Sequence, residues 1–273
     1  MQDILVRATR FDLWEPAVQG ATRIAAAFDA ALTAVYVVPA VLPPPASAYD
    51  GGAMVAEYAL ELQREADEAQ ARAPAFVEWA AAQGVRHAQW IGCTADVADG
   101  LAYAGNWHDL LVLPLDDGTQ DPWSGPNGVA RTILDSGMPT LVLPRGADWP
   151  DRCSTIVVAW NGSVEAIRAL HAARPFLRHA ERVVLLLGDR GERMDPMPGF
   201  ALEEWCARHA VRVEYEPLDP HAEGEDLLQA ARAARADLLV MGAFGRSRFA
   251  EWVLGGVTRH MLLHADLPLL MRH

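Results

Sequence analysis

The chain has 273 residues, a formal net charge of −13 and a pI near 5.1, with 51% hydrophobic and 22% charged residues. That is a core-forming composition, long enough for two ordinary domains. So acidic a surface repels the phosphates of nucleic acid and of anionic membranes, which excludes both as main partners.

The first predicted element is a short apolar strand at Ile4-Leu5-Val6. A helix follows from about Glu15 to Ala30, with Val18, Ala21, Ile24, Ala25 and Phe28 on one face. Leu32 to Val38 is a β-branched strand, and Pro39 to Pro45 is a proline-rich loop. A long Ala/Glu/Gln/Arg helix is expected from about Ala53 to Gln83, interrupted at Pro74. Then come a strand at Val85–Ile91, a helix at Ala95–Ala104, a strand at Asp109–Leu113, a helix at Gly128–Asp135 and a strand at Pro139–Leu143. Pro144 to Arg152 reads as a linker, after which the order restarts. Strands at Thr155–Ala159, Arg182–Leu187, Val211–Tyr215, Asp237–Met241 and Pro268–Met271 alternate with helices at Ser163–Arg178, Phe200–Ala210, Glu223–Ala236 and Gly256–His264. Such alternation predicts two parallel-sheet α/β domains, 1–146 and 152–273.

The halves are also related residue by residue. Asp109-Leu-Leu-Val repeats at Asp237-Leu-Leu-Val, and Gly128-Val129-Ala130-Arg131 repeats at Gly256-Val257-Thr258-Arg259, 128 residues apart in both cases. Two separate matches at one spacing indicate a tandem duplication.

The most informative stretch runs from Asp237 to Arg259. A buried strand ends in Met241-Gly242, the loop continues through Gly245-Arg246-Ser-Arg248, and Gly255-Gly256-Val257-Thr258 opens a helix. Glycines at Gly242 and Gly245 allow the backbone to approach a phosphate chain closely. The N–H groups of Gly256, Val257 and Thr258 lie at the positive end of a helix dipole, a ready anion site. The Thr258 hydroxyl can add a hydrogen bond, and Arg246 and Arg248 can add charge. No lysine occurs anywhere in the chain, which removes both the P-loop and Schiff-base chemistry.

Gly242-x-x-Gly245-x9-Gly255 followed by Gly256-Val257-Thr258 resembles the ATP-binding signature of the universal stress protein family. Ile156-Val-Val-Ala-Trp-Asn161-Gly162-Ser163 resembles that family's first strand and turn. The resemblance covers both halves. It implies two tandem Rossmann-like, adenine nucleotide alpha hydrolase-like domains, each a five-stranded parallel sheet flanked by helices. It also implies an adenine nucleotide (ATP, AMP or ADP, with Mg2+) held in the C-terminal half, in a cytoplasmic stress-response regulator. Ala159, Asn161 and Leu187 would line the adenine and ribose side, with Met241, Gly242, Gly245, Arg246, Gly255, Gly256, Val257 and Thr258 around the phosphates. Two positions depart from the family: Asn161 stands where aspartate is usual, and Gly256 where serine is usual. Family members pair their last strands across a dimer interface. Here Leu141-Val-Leu and Leu269-Leu-Met would pair within one molecule as a pseudo-dimer, with a homodimer the other possible assembly.

In the first half the corresponding loop reads Pro114-Leu-Asp116-Asp117-Gly118, with carboxylates where phosphate would lie. Ala130 stands opposite Thr258 and Thr9 opposite Asn161, so this copy is expected to be degenerate. His260 and His264 have zinc-compatible i, i+4 spacing but read as a helix face. Cys93, Cys153 and Cys206 show no C-x-x-C and are expected to be buried, reduced thiols. The tryptophans Trp14, Trp79, Trp107, Trp149, Trp160, Trp205 and Trp252 are expected to pack rather than to stack on bases. No G-x-S-x-G elbow supports a hydrolase. Slow ATP hydrolysis at the same loop and a nucleotide-free interaction scaffold are the alternative functions.

Overall fold

A computed structural model describes residues 1–40, 51–188, 202–219, 222–245 and 255–273, with the backbone alone at 51–53. They fall into two compact units, Met1–Pro114 with Gly118–Ser136, and Leu115–Asp117 with Gly137–His273. The proline-rich loop beyond Ala40 and the segment from Arg246 to Leu254, which contains Arg248 and Trp252, lie outside the described residues.

The first unit contains β1 (Asp3–Ala8), α1 (Pro16–Phe28), β2 (Ala31–Pro39), α2 (Gly51–Gln70), α3 (Ala73–Ala82), β3 (Ala88–Ala95), α4 (Val97–Gly105), β4 (Leu110–Leu115) and α5 (Pro126–Ser136). β2 pairs with β3, and β1 pairs with β2 and β4, all in parallel. Ile4, Leu5 and Val6 face Leu110, Leu111 and Val112 across the ladder, and all six are buried. Continuous apolar runs of this kind are what a parallel sheet covered on both faces requires. The long helix expected around Pro74 is two helices, with the proline in the first turn of α3, where it has no hydrogen bond to lose. Trp14, Phe76, Trp79 and Trp90 pack as one aromatic cluster, their ring centroids 5.4 to 5.9 Å apart. Trp107 differs from the expectation: it is 75% exposed.

The second unit contains β5 (Thr140–Pro144), β6 (Thr155–Trp160), α6 (Val164–Leu177), β7 (Arg182–Leu187), α7 (Leu202–Arg208), β8 (Glu214–Pro217), α8 (Gly224–Ala233), β9 (Leu238–Gly242), α9 (Gly256–His264) and β10 (Leu269–Arg272). The parallel order β10-β9-β6-β7-β8 is the five-stranded sheet expected of this half. β5 adds to it in antiparallel pairing, Leu141 opposite Leu270 and Val142 opposite Leu269. The expected pairing of those two segments within one chain is therefore present. Compactness also groups β5 with the second unit, although the duplication places it at the end of the first half.

The repeat is visible in strand register. Ile4 faces Leu110 as Ile156 faces Leu238, and Leu110 and Leu238 are the repeated positions. Two strands begin about three residues later than their apolar residues suggested. Val85 donates its N–H to Ala80 O behind Gly84 at φ +94, and Val211 donates to Cys206 O behind Ala210 at φ +57. Each valine is the buried residue of a helix-ending left-handed cap, a role that looks like a strand start in sequence.

Candidate functional site

In the second unit the chain leaves β6 toward β7 and β8 on one side, while β9 and β10 lie on the other. β6 and β9 therefore flank the topological switch point, where open α/β sheets leave a crevice at their carboxyl ends. A cavity of about 330 Å3 occupies that place. Its walls include Ala159 to Asn161, Ser163, Glu165, Leu186, Gly188, Leu218, Asp219, Met241, Gly242, Phe244, Gly245 and Gly255 to Thr258.

The first wall is a turn. Asn161 Oδ1 accepts the Ser163 N–H at 3.0 Å, Gly162 takes φ +69, and Ser163 Oγ caps α6 by accepting the Ala166 N–H at 3.1 Å. Asparagine thus does what an aspartate oxygen would do for the turn. It brings no charge to the pocket.

The second wall is the end of β9. A Cβ on Gly242 would stand 2.6 Å from Ala166 N and Glu165 C, so this glycine lets β9 press against the first turn of α6. Its requirement is packing between backbones rather than approach of a phosphate. Phe244 holds φ +63, a conformation uncommon for an aromatic residue, and its N–H points to Thr258 Oγ1 at 3.4 Å. Thr258 is buried, and its hydroxyl ties the loop to α9 while keeping a proton to donate.

The third wall is the start of α9. Gly255 caps this helix without any side-chain hydrogen bond. Among the described residues, and apart from the glycine's own helix and chain neighbours, nothing lies within 4 Å of a Cβ built on Gly255 or Gly256. The N–H groups of Gly256, Val257 and Thr258 precede the first intrahelical bond, Arg259 N–H to Gly255 O, so they have no partner within the helix.

The structure brings Ala159, Asn161, Met241, Gly242, Gly245, Gly255, Gly256, Val257 and Thr258 around one cavity. Leu187 is a correction: Leu186 and Gly188 line the cavity instead, because alternate residues of β7 face opposite sides of the sheet. Arg246 lies outside the described residues.

Sequence reasoning missed Trp160, Glu165, Phe244, Asp219 and Glu223. Trp160 reaches the cavity wall with its indole N–H buried and, among the described residues, without a hydrogen-bond partner. Glu165 is 8% exposed, and its Oε2 would lie 2.8 Å from a Cβ on Gly245. No local signal marks it, since the loop it faces follows far later in the chain. Among the described residues the lining includes Glu165, Asp219 and Glu223 and no basic side chain.

Elsewhere, His260 Nε2 lies 3.1 Å from Glu225 Oε2 and its ring is 4.5 Å from that of His264, the helix-face arrangement expected. Cys206 is buried as expected, whereas Cys93 and Cys153 are partly exposed. Burial, with help from the Asp237 carboxylate, pushes the Cys153 thiol up to about 12. Among the described residues no helix is long and apolar enough to cross a membrane.

The first unit builds the equivalent place differently. Strand register puts Arg7 where Ala159 stands. Arg7 is 3% exposed and donates to Asp121 Oδ2 at 2.6 Å and to Ser124 Oγ at 2.9 Å. A Cβ on Gly128 would meet Trp123 Cα at 2.4 Å and Pro122 O at 2.5 Å. The loop before α5 therefore lies on its own helix start, and Trp123 also receives the Arg131 guanidinium 5.0 Å from its ring. Glu15 closes the end of β1 by accepting hydrogen bonds from Thr9 N and Thr9 Oγ1.

Residues 203–273 match the universal stress protein family. Over its whole length the chain is similar in fold to a universal stress protein from Archaeoglobus fulgidus DSM 4304, with a TM-score of 0.61 and 15% identity, covering 99% of this chain and 95% of that one. A functionally unknown protein from Pseudomonas aeruginosa PAO1 matches with a TM-score of 0.60 and 15% identity, covering 99% and 92%. At such identities the likeness shows the fold. No curated protein matches the chain in sequence.

Proposed function

We propose that this chain, whose residues 203–273 belong to the universal stress protein family, is a tandem member that binds an adenine nucleotide in its second unit and acts as a stress-linked regulator. The observation that carries the reading is the open start of α9. Three N–H groups without intrahelical partners, with no other described residue within 4 Å of a Cβ on Gly255 or Gly256, face a cavity at the β6/β9 switch point. A phosphate there gains the helix dipole, worth about 0.3–1 kcal/mol per favourable charge near the surface, together with charge-assisted hydrogen bonds. A base and sugar reach toward Ala159, Met241 and Leu186, the apolar floor of the same cavity. The acidic surface argues for a small ligand over a nucleic acid.

Titration of the full chain with a fluorescent ATP analogue tests this, with Trp160 as a second reporter inside the pocket. Saturable binding that unlabelled ATP competes away is expected. Absence of binding at millimolar analogue would sink the reading and leave an interaction scaffold.

A further inference from the structure

The nucleotide reading leaves one group unused. Glu165 is a carboxylate more than nine-tenths buried, it lines the pocket, and its Oε2 stands against Gly245. Gly245 follows Phe244, whose N–H points to Thr258 on the first turn of α9, so the carboxylate borders the place where phosphates would meet the helix. The Glu165 carboxylate has no hydrogen-bond or ion-pair partner among the described residues. The dipole of α6, in whose first turn Glu165 lies, makes the charge tolerable there. It does not account for a carboxylate aimed at the phosphate side. A buried anion beside a polyphosphate repels it, unless a hard cation with oxygen preference lies between them.

We infer that Glu165 makes this pocket selective for the divalent-cation complex of a nucleoside polyphosphate over the free polyphosphate. The carboxylate supplies one oxygen to the ion, the phosphates supply others, and water completes the shell, the usual manner in which Mg2+ is held by one carboxylate and a substrate. This rests on the nucleotide reading, and it makes a demand that reading does not. A pocket built only from backbone N–H groups would take free and metal-bound nucleotide alike.

The test is equilibrium binding of a fluorescent ATP analogue to the full chain, in Mg2+ and in excess chelator, for the wild type, Glu165→Gln and Glu165→Asp. The wild type is expected to lose roughly tenfold or more in affinity when the ion is removed. Glu165→Gln, nearly equal in shape, is expected to lose at most about twofold and to bind the free analogue more tightly than the wild type does. Glu165→Asp keeps the charge and should keep the requirement for the ion. Melting curves establish that each variant is folded. Equal wild-type affinity with and without Mg2+ would overturn the role of Glu165 while leaving nucleotide binding intact. So would an unchanged ion requirement in Glu165→Gln. No binding under either condition would defeat the nucleotide reading, and this inference with it.

Discussion

A side chain added to Gly128, at the start of α5, would stand 2.4 Å from Trp123 Cα, whereas one added to Gly256, at the start of α9, would meet no other described residue within 4 Å. The two glycines occupy the same place in the repeat. One lets a loop lie down on its own helix, and at the other no described residue covers the helix end. The same contrast recurs at the base of each site, where buried Arg7 fills the position that Ala159 leaves empty. In the first unit the Arg7–Asp121 ion pair stands at that position. The place is thus occupied by the chain's own side chains, which the loss of a glycine pattern alone would not reveal.

The largest effect should come from breaking that occupancy. Asp121→Ala leaves the Arg7 guanidinium, 4% exposed, without its charge partner and should cost about 3–5 kcal/mol in urea unfolding. A change below about 0.5 kcal/mol would show that the first unit does not depend on the pair. Next in size is one substitution made at both equivalent glycines. Gly128→Ala forces a methyl against backbone atoms and should destabilise by about 1–3 kcal/mol. Gly256→Ala should change stability by no more than about 0.5 kcal/mol, in either direction. Similar costs at the two sites would dissolve the contrast between a covered and an open helix start.

Arg7→Ala gives the first unit the residue of the second, yet Trp123 still covers its helix. The stoichiometry of ATP-analogue binding should stay at the wild-type value, and acquisition of a second site would mean that Arg7 alone closes the first.

The smallest effect concerns Glu15. Burial raises its carboxyl above the ordinary value of 4.5, against the opposing pull of the Thr9 hydrogen bonds. The folded state then holds this proton more tightly than the unfolded chain does. Its contribution to stability is full below the unfolded value and is lost as pH rises through the raised folded value. Glu15→Gln should therefore remove a shallow decline in stability just above pH 4.5, measurable by unfolding at a series of pH values. An unchanged pH profile would place the cause elsewhere.

Much of this architecture is legible in the sequence. The order of strands and helices, the break at Pro74, the 128-residue repeat and the glycine-marked side of the pocket follow from patterns a few residues long. Boundaries failed where one residue type serves two roles, as Val85 and Val211 do in closing helices rather than opening strands. Leu187 failed by one position, which on a strand means the opposite face.

By itself the sequence determined the two α/β repeats, the buried parallel strands and the glycine-marked loop, because hydrophobic period, caps and turns are local properties of the chain. Only the tertiary structure decided that Gly242 serves packing against α6, that Gly128 is covered while no described residue covers Gly256, and that Glu165 faces Gly245. Each of these depends on which distant backbone or side chain comes within a few ångströms. That proximity is set when strands and helices pack, and no short stretch of sequence contains both partners.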